Sequence, residues 1–219
     1  TEAGHAVADV LFGDHEPGGR LPVTFPRVTG QVPMTYDALP TPRPPIDGVA
    51  YTTRYLDTPH GPLFPFGWGL GYGDVVYGAA RILTPKPQPE GRVKVAVTVE
   101  NRSDRPTRET VQLYVRDPVA SRVRPFRELK AFGKVALAPR ERREITLDVP
   151  VERLGFHLDD GTWVVEPGRF QIFVGATSTA PLAGEIFLAD GIRRSPAGRS
   201  GERFETGGLT IAPAGEGQQ

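Results

Sequence analysis

The chain contains no cysteine. That absence excludes a disulfide framework, a thiolate metal site and a cysteine nucleophile, and it is neutral about compartment. Net charge is absent as well, since 26 basic residues balance 26 acidic ones. No overall field therefore draws in nucleic acid or an anionic membrane. Long apolar runs are missing too: Val7 to Phe12, interrupted by Asp9, falls far short of a membrane span. The chain opens on Thr1 with neither an initiator methionine nor a basic-then-apolar leader, which reads as a piece of something longer.

Reactive constellations are equally scarce. His5, His15, His60 and His157 stand apart without ligand spacing, so they read as surface or helix-cap histidines and no metal or cofactor is expected. Asp159-Asp160-Gly161 follows "FHL" and precedes "TWVV", which makes it a hairpin turn rather than a carboxylate pair. The glycines of "FGWGLGYG" (66–73) lack the strand-then-helix context of a phosphate loop. No serine sits in a nucleophile elbow. The basic run "RVRPFRELK" (122–130) is interleaved with Glu128 and with Phe126 and Leu129, and Phe132 follows it; it reads as a solvated strand edge anchored by those apolar residues.

What the chain has in abundance is glycine (26) and proline (23) within 219 residues, a composition of many turns. Residues 2–12 place Ala3, Ala6, Val7, Val10 and Leu11 on one helical stripe, and Gly13 is a natural stop. "EPGGRLPVTFP" (16–26) then sets a short alternating strand, Leu21 to Phe25, between prolines, as suits a sheet edge. A helix feeding a strand is the closing beat of an α/β layer, so the rest of that sheet is expected upstream of Thr1. From 27 to 73 periodicity disappears among prolines, yet Tyr36, Tyr51, Tyr55, Phe64, Phe66, Trp68 and Tyr72 argue for an ordered, packed segment.

After Tyr72 the period becomes two. Val93, Val95, Val97 and Val99 share a face, as do Val111, Leu113 and Val115, then Ile145, Leu147 and Val149, then Phe170, Ile172 and Val174. Further strands are expected at 77–83, 129–137, 162–165 and 184–189, with turn signals between them. Seven or eight short strands over about a hundred residues read as an immunoglobulin-like or fibronectin type III sandwich with one shared interior. The tail from Arg193 is expected to be mobile or laid over the surface, with 209–211 as a candidate edge strand.

The blocks "AVADVLFGDHEPGGRLPVTFP", "RYLDTPHGPLFPFGWGLGY", "ETVQLYVRD", "RPFRELKAFGKVALAPRE" and "VEPGRFQIFVGATS" resemble, in order, the C-terminal part of family 3 glycoside hydrolases, the β-glucosidase and β-xylosidase group. The resemblance implies a mainly β chain: 1–30 the last helix and strand of an α/β sandwich domain, 31–73 an ordered connecting segment, 74–190 a fibronectin type III-like domain and 191–219 a flexible tail. It implies the C-terminal, non-catalytic portion of a retaining β-glycosidase acting on terminal β-linked sugars, with both carboxylates supplied by a barrel and α/β sandwich segment outside these residues. No catalytic residue is carried over, and Glu2 reads as structural. A homodimer of the full enzyme is one arrangement the resemblance allows. The competing reading is a free-standing module that binds carbohydrate or protein without catalysis, but such a module has no use for an amphipathic helix and an orphan strand.

Within 41–62, Tyr51, Arg54, Tyr55 and Asp57 form the candidate substrate-binding group: aromatic faces for a pyranose and polar ends for its hydroxyls. The alternative is a local Arg54–Asp57 ion pair with the tyrosines packing the loop.

Overall fold

The computed structural model describes residues 2–44, 46, 49, 52–195 and 208–211. One helix, α1 (Ala3–Phe12), ends on Gly13 at φ 83°, whose N–H returns to the Val10 carbonyl. The strands follow as β1 (Val75–Tyr77), β2 (Arg81–Ile82), β3 (Arg92–Asn101), β4 (Thr107–Arg116), β5 (Glu128–Leu137) and β6 (Arg142–Pro150). After them come β7 (Phe156–His157), β8 (Trp163–Val165), β9 (Gly168–Gly175), β10 (Leu182–Leu188), β11 (Ile192–Arg194) and β12 (Gly208–Ile211).

Two antiparallel sheets form the sandwich. In the first, β1 and β2 pair successively along one side of β3, and β6 and β12 continue from its other side; the second runs β10-β9-β4-β5. A small sheet, β11-β8-β7, carries the hairpin in which Asp159, Asp160 and Gly161 make the turn. All the residues expected to share one interior are buried in a single cluster, from Val93 and Val97 on β3 through Leu113 on β4 and Ile145 on β6 to Ile172 on β9. Their alternation places one face of every strand inward, and β3 and β6 are in register, with Val97 opposite Ile145.

β4 departs from a simple alternation. Gln112 and Tyr114, which its period points away from the inter-sheet core, are also buried. A second cluster of Tyr114, Phe173 and Ala180 forms there, with Tyr36, Phe66 and Leu129 packed against it. The proline-rich segment therefore covers the outer face of the second sheet.

Three expectations are corrected. Leu21 to Phe25 does not form a regular strand: the Leu21 N–H donates to the Trp68 carbonyl, the Gly67 N–H donates to the Leu21 carbonyl, and Phe25 pairs with Leu63 and Phe64. Its pairing partner is residues 63–68 of this chain. The tail, expected to be mobile or laid over the surface apart from an edge strand at 209–211, also contributes β11 to the small sheet, while β12 joins β6 where that edge strand was expected. Phe126 and Phe132, expected as core anchors, are 43% and 59% exposed.

Candidate functional site

Residues 13–25 are held to the sandwich by polar contacts. Arg20 donates to Glu109 Oε2 at 3.1 Å, and Tyr77 donates its hydroxyl to Glu109 Oε1 at 2.9 Å. Both Arg20 and Glu109 side chains are about nine-tenths buried. Burial foremost, and then the Glu109 charge, push the Tyr77 hydroxyl far above its ordinary range, so it serves as a permanent donor. Nearby, Thr107 donates to Glu16 at 2.7 Å, the Tyr72 backbone N–H donates to the same carboxylate, and Arg105 donates to the Gly13 carbonyl at 2.7 Å. Tyr72 also donates to the Val10 carbonyl and lies beneath the Arg105 guanidinium, 5.3 Å from ring centroid to Cζ.

The connecting segment is held in a comparable way. Gln112, on the outer face of β4, donates to the carbonyls of Gly67 and Ala176, and its oxygen accepts from Tyr114. Gly67 sits at φ 81°, with no room for a Cβ against the Gln112 amide, so glycine is required there. This is the purpose of one glycine in a run that superficially resembled a phosphate loop. Tyr36 stacks on Phe66 at 4.1 Å between centroids and meets Tyr114 edge-on.

The loop carrying the candidate sugar-binding residues is anchored by a residue the sequence did not single out. Gln31, buried, accepts from the Arg27 N–H at 2.6 Å and donates to the Pro59 carbonyl at 3.0 Å. Nothing in its local pattern marks it, because buried glutamine has no periodic signature. Tyr55 is half-buried, donates to the Gly30 carbonyl at 3.3 Å and stacks on His60 with centroids 6.0 Å apart. Arg54 and Asp57 are exposed, and no ion pair joins them. Tyr51 lies outside the described residues. Tyr55, with Gln31, Met34, His60, Arg116 and Phe126, lines a cleft of about 670 Å³ between the segment and the second sheet.

The basic run of 122–130 is not a solvated edge. Arg124 is buried, donates to Glu128 at 2.6 Å and to the Leu154 carbonyl at 3.4 Å, and stacks over Phe156. Lys130 meets the other Glu128 oxygen at 3.1 Å, and burial holds its ammonium below the ordinary lysine range. Arg127 donates to the carbonyls of Ser178 and Ala180 at 2.7 and 2.8 Å and lies over Phe173. These cations join β5 to neighbouring turns instead of facing water. Asp117, beside them, has its carboxyl raised by burial, against the opposing attraction of Arg124. Among the described residues no group of three or more acidic, histidine or cysteine side chains could hold a metal ion.

α1 presents the opposite situation. None of its residues is buried, and Val7, Leu11 and Phe12 stand 57%, 71% and 84% exposed. Val23 and Leu70 are exposed as well.

A family model described as the glycosyl hydrolase family 3 C-terminal domain matches residues 1–72, and one described as a fibronectin type III-like domain matches 109–178. The periplasmic beta-glucosidase of Salmonella typhimurium is 40% identical over 190 residues, covering 86% of this chain and 25% of that protein. A beta-xylosidase of Formosa agariphila is 40% identical over 178 residues, covering 81% and 24%. The solved beta-glucosidase of Listeria innocua in complex with gluconolactone aligns with a TM-score of 0.79 at 36% identity, covering 86% of this chain and 26% of that one. The chain thus spans about a quarter of the length of these relatives. Two domain matches in sequence order, relatives aligned across the same span and a shared three-dimensional course agree: the chain belongs to glycoside hydrolase family 3 and corresponds to the C-terminal part of its members.

Proposed function

We propose that this chain is the C-terminal, non-catalytic portion of a retaining, exo-acting β-glycosidase, a β-glucosidase that removes terminal β-linked sugars from oligosaccharides or glycosides. A barrel and α/β sandwich segment, in the same protein or on a partner chain, supplies the nucleophile and the acid/base carboxylate that the mechanism requires. The observation that carries this reading is the bare apolar stripe of α1. A ten-residue helix with no buried side chain is marginal in water, and its apolar residues need a covering layer. A free-standing binding module would leave that stripe in solvent. The names of the relatives, beta-glucosidase and beta-xylosidase, support a β-glycoside as substrate.

The purified chain should not hydrolyse an aryl β-glucoside, and joining or mixing it with the barrel-bearing segment should restore turnover. Hydrolysis by the 219-residue chain alone, abolished by mutating a carboxylate within it, would overturn the reading.

Within that enzyme the exposed Arg54 is the proposed contact to a sugar beyond the first, and Tyr51, Tyr55 and Asp57 complete the proposed substrate-binding group. The absence of an ion pair to Asp57 leaves its planar fork available for two hydroxyls. In the complete enzyme, Arg54→Ala should lower kcat/KM for a disaccharide about 10-fold, equivalent to ~1.4 kcal/mol, and spare an aryl monoglycoside. Equal small losses on both substrates with a lower Tm would reduce Arg54 to a loop-stabilising role.

A further inference from the structure

The cleft beside Tyr55 does not end at the loop. A second cavity of about 400 Å³ adjoins it, and the two share Met34, Thr35, Tyr36, His60 and Phe126 in their walls. Together they form a groove between the connecting segment and the second sheet, reaching from Pro40 at one end to Ser178 and Thr179 at the other. Each chamber falls within the range of small-molecule sites, about 300–1,000 Å³.

The chemistry of the walls narrows the occupant. No carboxylate or lysine lines either chamber. Of the two arginines, Arg127 is committed to the carbonyls of Ser178 and Ala180, whereas Arg116 only stacks on Phe126, with Cζ 4.4 Å from the ring centroid. The remaining polar groups are threonine and serine hydroxyls, the Tyr36 and Tyr55 phenols, the Gln31 amide and the His60 imidazole. Thr24 and His60 both line the smaller chamber, and both Thr24 Oγ1 and His60 Nδ1 are buried without a hydrogen-bond partner. Both atoms are closed off from the surface, so they do not offer hydrogen bonds to an occupant of the chamber.

We propose that this groove binds a short neutral β-linked oligosaccharide. The rings lie against the faces of Phe126 and Tyr55, and Arg116 holds hydroxyls in the larger chamber. Such a site would retain a glycan chain on the C-terminal part of the enzyme while its end is processed elsewhere. The choice of a sugar rests on the glycosidase reading above; the groove itself does not.

The test is a ¹H–¹⁵N titration of the 219-residue chain with cellotriose, with maltotriose as the linkage control. Saturable shifts should appear at Met34, Thr35, His60, Phe126 and Ser178 with cellotriose and be weaker with maltotriose. Phe126→Ala, at a half-exposed position, should weaken binding about 10-fold through loss of a stacking face. Arg116→Met, which keeps the stem and removes the guanidinium, should weaken it as well. Lys86→Ala, at an exposed position that lines neither chamber, should leave it unchanged. Absence of saturable shifts at the solubility limit, shifts confined to other surfaces, or undiminished affinity in both Phe126→Ala and Arg116→Met would overturn the assignment. Because no hydrolysis is read, failure here leaves the β-glycosidase reading to its own turnover assay.

Discussion

Replacing Arg20 with methionine should test how residues 13–25 are held to the sandwich. Arg20 and Tyr77 are the side chains that satisfy Glu109, and that carboxylate is nine-tenths buried. Removing one partner of a buried ion pair leaves an uncompensated charge and costs about 3–5 kcal/mol. That figure is an upper bound here. If the terminal segment peels away, Glu109 regains water, so the loss cannot exceed the free energy with which the segment is docked. The double variant Arg20→Met, Glu109→Leu removes both charges, together with the unpartnered Arg20 Nε, and should recover much of the loss. It still strands the Tyr77 hydroxyl, a residual cost of about 1–3 kcal/mol that adding Tyr77→Phe should relieve. Urea unfolding of the wild type, Arg20→Met, Glu109→Leu and the double variant gives the coupling energy, expected at roughly 1–3 kcal/mol in favour of the pair. Limited proteolysis near residue 20 reports peeling directly. Single-variant losses that simply add, within about 0.5 kcal/mol, would refute the reasoning and make the pair incidental.

Val97→Asp should abolish cooperative folding, because an unpaired carboxylate in the shared interior costs several kcal/mol, of the order of a small domain's stability; a soluble variant with a sharp melting transition would refute the register. Asp117→Asn should raise Tm at neutral pH. Burial lifts the Asp117 carboxyl above its unfolded value against the pull of Arg124, with Glu166 and Glu128 adding to the rise, so the folded state binds the extra proton. Stability therefore falls as pH rises through the folded-state value, and the advantage of asparagine should vanish below the ordinary carboxylate range; a pH-independent difference would contradict this. Gly67→Ala should lower stability by about 1–3 kcal/mol, since the left-handed backbone and the Gln112 amide both oppose a Cβ; an unchanged urea midpoint would mean that the segment can shift away from β4.

The sandwich core could be read from the sequence because period-two patterning is local. Val93 to Val99 and Phe170 to Val174 each mark a buried face without reference to any distant residue. Turn chemistry is local too, and Asp159-Asp160-Gly161 makes the hairpin it announced. The five family blocks carried the membership for the same reason, since they are stretches of contiguous residues in a characteristic order. Alternation, however, names one face of a strand and cannot say what covers the other. Gln112 and Tyr114 lie on the other face of β4, and Tyr36 and Phe66, far away along the chain, close over it. Pairing across a loop is likewise invisible to periodicity, so Leu21 to Phe25 seemed orphaned although 63–68 lies beside it. Charge has the same ambiguity: Arg124 and Arg127 read as solvated from composition, and only the tertiary structure brought Glu128, Phe156 and the 178–180 carbonyls within reach. The sequence alone determined the class of fold and the family, because both are written in contiguous stretches. Tertiary structure decided which polar groups are buried, which loop faces meet and where a groove opens, because those depend on contacts between segments whose separation no local pattern encodes.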